Sequence, residues 1–255
     1  MASAIVGILA VSSSLGCQTS VFATQVIAAN TNGNAGGGIF NPLNTLGAPD
    51  TTVHSLGIGG DITLGFGVTL RNGPGADFIV SENPFRLTPG GWQTFAEMMF
   101  VEVSSDGLHF ARFPSGYFGP AVQPGPFGTV TVGSYENLAG QTPVLATTPG
   151  ADAQDVVEAG GDAFDLDDLQ QDPLVLAGLV DLQAITRVRL VDVVSGTSLD
   201  ARGIAIFDPG GGSADLDAVT VIHHQGNADP HAPTVQLTVL PDGTATIRLE
   251  DPDGW

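Results

Sequence analysis

The residues of this chain best equipped for chemistry are its carboxylates, which gather in Gly-rich stretches beside apolar runs. Asp77, Glu82 and Asn83 flank Phe78-Ile79-Val80. Asp162, Asp165, Asp167 and Asp168 fall within Gly-Gly-Asp-Ala-Phe-Asp-Leu-Asp-Asp, and Asp208, Asp215 and Asp217 follow Gly-Ile-Ala-Ile-Phe. Calcium takes six to eight oxygen ligands, and carboxylates and carbonyls on flexible turns supply them. Spacing at i and i+2 puts two carboxylates on one face wherever the backbone is extended. Asp215 and Asp217 are the preferred pair, because they enter a strand through Gly210 to Gly212. The expected ligands of a structural calcium are Asp77, Glu82, Asp162, Asp165, Asp215 and Asp217. No segment has EF-hand spacing, so such a site is assembled across loops. The competing role for each Asp is to cap a turn by bonding its own backbone.

A second chemistry is stacking on sugar faces, which needs loop aromatics and a few fixed polar groups. Trp92 after Pro89-Gly90-Gly91, and Tyr117 with Phe118 between Gly116 and Gly119, are the candidates. Each has packing beneath a loop as its alternative. Arg187 and Arg189 share one face of a strand, and among so many acids they are expected to pair internally. His223 and His224 point to opposite faces and, with His231, read as linker residues. No His-Glu-x-x-His, Gly-x-Ser-x-Gly, Walker A or dinucleotide fingerprint is present, so a non-catalytic role is expected. Paired carboxylates leave an extracellular glycan hydrolase or lyase as the alternative.

These residues need a scaffold, and the composition indicates which kind. Among 255 residues there are 35 Gly and 17 Pro, with a formal charge of −20. All seven cations are Arg. Frequent turn formers favour short strands over long helices, and the charge excludes nucleic acid as a partner. Asp61–Phe66 alternates apolar and polar as a strand does, and Phe78–Val80 suits a short core strand. Phe100–Val103 and His109–Phe113 flank Ser104-Ser105-Asp106-Gly107, a hairpin signature. Phe127–Val132, Ile185–Val194, Gly203–Phe207 and Leu216–Ile222 are further expected strands, with helical turns near Asp152–Glu158 and Leu174–Val180.

Residues 1–23 carry no charge, contain the apolar run Ala4–Val11 and end in Val21-Phe22-Ala23, which predicts a signal peptide cut after Ala23. The apolar run is too short to span a bilayer, and the single Cys17 lies within this leader. Residues 24–224 then form the β domain, 225–233 a Pro-containing linker, and 234–255 a hairpin or the start of a second β module.

Several ordered blocks between Asn41 and Ile222 carry a resemblance: Leu-Gly-Ala-Pro-Asp at Leu46–Asp50, the stretch Ser55–Phe66, Gly73–Phe85, the hairpin Phe100–Phe113, Ala159–Leu169, Ile185–Val193 and Ala214–Ile222. Together they resemble bacterial secreted or cell-surface proteins of the kind that carry a PEP-CTERM sorting tail. The resemblance implies an all-β, jelly-roll-type sandwich akin to carbohydrate-binding and discoidin-type modules, secreted or on the cell surface. It implies no particular activity. The chain departs from that pattern in lacking the Pro-Glu-Pro, apolar helix and basic tail. The expectation is thus a secreted, calcium-stabilised, non-catalytic module for adhesion or recognition of extracellular polysaccharide or a surface protein, with a passive spacer as a further alternative.

Overall fold

The structure is a computed structural model that describes residues 20–34, 37–86, 93–131 and 133–226, and the backbone of 234–239 and 245–250. Two units divide it, Ser20–Gly226 and one that includes the C-terminal hairpin. In that hairpin Thr234–Val239 pairs antiparallel with Ala245–Glu250, as expected, while the turn at Pro241-Asp242-Gly243 lies outside the described residues.

The larger unit is a sandwich of antiparallel sheets. Its main sheet runs, in spatial order, Ala23–Asn30, Asp61–Leu70, Ile185–Asp192, Met99–Ser104 and Leu138–Ala139. A smaller sheet places Phe78–Ser81 between Asp162–Phe164 and Ala218–Val221. From Asp61 onward the longer strands alternate between the two sheets. Each connection therefore crosses the core, which is the connectivity of a jelly-roll-type sandwich.

Phe78 and Phe164 of the small sheet stack at 5.4 Å, and Phe113, just past the hairpin, meets Phe164 edge-on at 4.9 Å. These rings join the sheets, with Leu64, Val68, Val101, Val188, Leu190 and Val219 closing the core around them. Asp61–Leu70 is buried along both faces rather than one, because Ile27 and Arg187 lie over Gly65 on its outer side. Met99–Ser104 is likewise covered twice. Period-2 alternation sends Met99, Val101 and Val103 into the main core and Phe100 into a second cluster with Met98, Tyr117, Tyr135 and Ile206.

The expected hairpin forms: Glu102 lies opposite Arg112 and Val103 opposite Ala111. Gly107 adopts φ +76°, and Asp106 Oδ1 accepts from the N–H groups of Leu108 and His109. Helical turns occur at Val156–Ala159 and Pro173–Leu176, each N-capped by the preceding Asp. Two expected strands shrink. Among the described residues 127–131 only Val130–Thr131 pairs, with a Gly128-to-Gly125 turn beside the exposed Phe127, and 203–207 contributes a single bridge from Ala205 to Leu199.

Ala23 is fully buried at the start of an edge strand, Val21 O accepts from Val221 N, and Phe22 bridges Thr220. These contacts involve Val21, Phe22 and Ala23, the last three residues of the leader expected from the sequence. The linker reading of His223 and His224 is corrected. His223 Nδ1 hydrogen-bonds Asp77 Oδ1 at 2.8 Å, and His224–Gly226 pairs with the Asp61–Leu70 strand.

Candidate functional site

Most of the carboxylates expected to bind calcium are engaged by the backbone. Asp77 is fully buried, accepts from Gly73 N and Leu166 N, and meets His223, so it ties three loops together. Asp162 Oδ2 accepts from Gly140 N and Gln141 N, both at 2.7 Å. Asp165 caps the turn Leu166–Leu169, and Asp217 accepts from Asp50 N and Thr51 N. Bonds of this kind hold loops in the way a bound ion would. Asp215 and Asp217 do not act as a pair, because Asp217 reaches into the 50–51 loop while Asp215 accepts from Ser55 and lies near Glu97.

Asp215 and Glu82 do come together, at the end of the short ladder in which Asp215–Leu216 pairs with His54–Ser55. Glu82 is 3% exposed; its Oε1 accepts from Asp215 N, and its Oε2 has no hydrogen-bond partner. The carboxylate that completes the group, Glu97, was not foreseen. It is 6% exposed and its Oε1 is also unpartnered. A Cβ on Gly212 would stand 2.0 Å from that oxygen, so only glycine at 212 lets Glu97 occupy its place. The signal for Glu97 was present in Phe95-Ala-Glu-Met-Met-Phe-Val, where a lone acid interrupts an apolar run and is therefore carried inside.

Burial is the main cause of the raised pKa values here, and neighbouring carboxylates add to it. Glu97 is pushed up to about 8, with Asp215, Asp208 and Asp192 contributing. Asp192 rises to about 7 and Asp208 to about 6, while Glu82 stands well above the ordinary range. Asp192 and Asp208 are satisfied by backbone donors: Asp192 by Gly59 N and Ala214 N, Asp208 by Met98 N. The unpartnered oxygens belong to Glu82 and Glu97.

Glu97 and Asp215 line a cavity of about 370 Å³. Ser55, Ser213, Gly211 and Gly212 form its walls, and Ile39, Phe40 and Ile58 its apolar rim. Ser55 and Ser213 hydroxyls lie 3.0 Å apart within it. Another cavity, of about 430 Å³, lies between Arg112, Asp172 and Asp200. It is less suited to binding a charged group, because Asp200 is already paired with Arg202 at 2.7 Å.

The aromatic surface differs from the one expected. Trp92 lies outside the described residues. Tyr117 belongs to the second core cluster, 5% exposed, with its hydroxyl donating to Pro120 O, so it offers no platform. Phe118 is exposed, but the Arg202 guanidinium covers its ring at 4.3 Å. Instead, exposed Phe85 and Phe127 flank half-buried Phe95: Phe85 stacks on Phe95 at 5.0 Å, and Phe127 lies 6.4 Å from Phe95 and is 86% exposed. This run adjoins the cavity. Phe95 stands two residues before Glu97, and Pro126, next to Phe127, packs on Gly211, the neighbour of Gly212.

Glu102 joins Arg189, as expected, and Arg112 in an internal network, whereas Arg187 donates to Thr186 O; Arg112 and Arg189 also cover the Phe100 and Phe110 rings. Among the described residues, no three side chains of His, Cys, Asp or Glu gather as a metal cage, and no helix is long and apolar enough to cross a membrane. Comparison of the chain with family models, curated proteins and solved structures found no match. The site is therefore interpreted from its own chemistry.

Proposed function

We propose that this chain is a non-catalytic, exported or cell-surface β-sandwich module that recognises extracellular glycan through the acid-floored cavity and the phenylalanine run beside it. The observation that carries the reading is the adjacency of the two. Sugars present an apolar face to aromatic rings and hydroxyls to fixed acceptors, and Phe85, Phe95 and Phe127 stand beside a cavity lined by Glu97 and Asp215, with Pro126 next to Phe127 packed on the lining residue Gly211. A Lys-free, acidic composition and the resemblance to secreted surface proteins support an extracellular setting. Isothermal titration of the full chain against hits from a glycan array tests it. Phe127→Ala is expected to weaken binding about tenfold without changing the melting temperature, since a single stacked ring contributes roughly 0.5–1.5 kcal/mol beyond its buried area. Failure to bind any glycan on the array refutes the reading.

A hydrolase reading draws on one observation. Glu97, held up to about 8, is protonated at neutral pH in the same cavity as Asp215. That is the acid-and-base pairing of glycoside hydrolysis. It requires release of reducing sugar from a bound glycan, abolished by Glu97→Gln. The structural calcium of the sequence reading is tested separately, by melting the full chain in calcium and in chelator.

A further inference from the structure

Resting on the glycan reading, we infer that the cavity selects a sugar bearing a free amine, whose ammonium group sits on the unpartnered oxygen of Glu97 with Asp215 beside it. Three observations lead there. First, Glu97, which lines the cavity, is more than nine-tenths buried and keeps an oxygen without a donor, an arrangement that is costly until a donor arrives. An ammonium brings three donors and a full positive charge. Second, the cavity does not suit a bare ion. Its volume of about 370 Å³ falls in the range of small-molecule sites, and no metal cage forms among the described residues. Third, the walls offer Ser55 and Ser213 hydroxyls for sugar hydroxyls, and the wall residue Gly211 packs on Pro126, next to Phe127 of the phenylalanine run that would hold the next sugar units.

The surroundings also explain why the acids tolerate one another in the empty site. Glu82, Glu97 and Asp215 lie close together with Asp192 and Asp208 behind them, and among the described residues no Arg is paired with any of these five. Glu97 accordingly holds a proton near neutral pH. An entering ammonium replaces that proton as the counter-charge, so binding is coupled to its release.

The test uses the full chain and glucosamine oligomers, with N-acetylated and neutral hexose oligomers of equal length as controls, titrated at pH 5.5 where the amine is charged. The amine oligomer is expected to bind at least tenfold tighter than either control. Titration in buffers of different ionisation enthalpy should show a net proton released, and Glu97→Gln should abolish both the preference and the release. Because the variant changes one acid to its amide, retained binding of the neutral oligomers certifies its fold. Equal binding of amine and neutral oligomers overturns the inference and leaves the glycan reading standing. Equal binding of a lysine-containing peptide, or competition by calcium that depends on Glu97, overturns it as well. Binding of no oligomer at all overturns both.

Discussion

Glu97 makes the stability of this fold depend on pH in a direction opposite to that of most salt-bridged proteins. Its folded-state value near 8 lies above its ordinary 4.5, so between the two the folded chain keeps a proton that the unfolded chain has released. The contribution is complete below about 4.5 and is lost as pH rises towards 8. Each pH unit in that window removes about 1.4 kcal/mol, so two units, from 5.5 to 7.5, remove about 2.7 kcal/mol through this group. That is a drop of roughly 5 to 10 °C in melting temperature for a domain of this size. Asp192 and Asp208 act in the same direction within the window, up to about 7 and about 6. His54 opposes them below its ordinary 6.5, because burial holds its ring neutral while the unfolded chain protonates. The lowered carboxylates Asp106 and Asp200 act only in more acidic solution. Comparing wild type with Glu97→Gln removes His54 from the difference, since both proteins contain it. Urea unfolding at pH 5.5, 6.5 and 7.5 should show wild type falling by about 2.7 kcal/mol more than the variant. Parallel profiles would refute the assignment of Glu97 as a buried, proton-holding acid.

Gly212→Ala, which puts a Cβ 2.0 Å from Glu97 Oε1, should displace that carboxylate and abolish glycan binding while the protein still melts cooperatively; titration and a thermal scan check both. Tyr117→Ala should cost about 3–5 kcal/mol by emptying the second core, and denaturant unfolding measures it. Asp77→Ala leaves the N–H groups of Gly73 and Leu166 without their acceptor and should cost several kcal/mol, with hydrogen exchange rising first at those two amides. A chain beginning at Thr24 should melt below one beginning at Ser20, because it lacks Val21 O, the Phe22 bridge and buried Ala23.

How far the sequence could be followed depended on the range of the forces involved. The Phe100–Phe113 hairpin, the core strands around Phe78 and Val188 and the two capped helical turns were legible because period-2 alternation, turn glycines and Asp caps act within a few residues. The strand Ala23–Asn30 was hidden, because the uncharged segment before it reads as a leader while its pairing partner lies nearly forty residues away. The cavity was beyond local reading for the same reason. Glu82, Glu97 and Asp215 come from three separate segments, and only the crossing of strands between two sheets brings them side by side.

Carboxylate abundance, absence of Lys and an all-β scaffold were settled by composition and pattern alone. Which acids would be satisfied was settled by tertiary structure. A backbone N–H from a distant loop meets Asp77, Asp162 and Asp217, whereas Glu97 Oε1 lies against Gly212, whose missing side chain makes room for the carboxylate without offering it a donor.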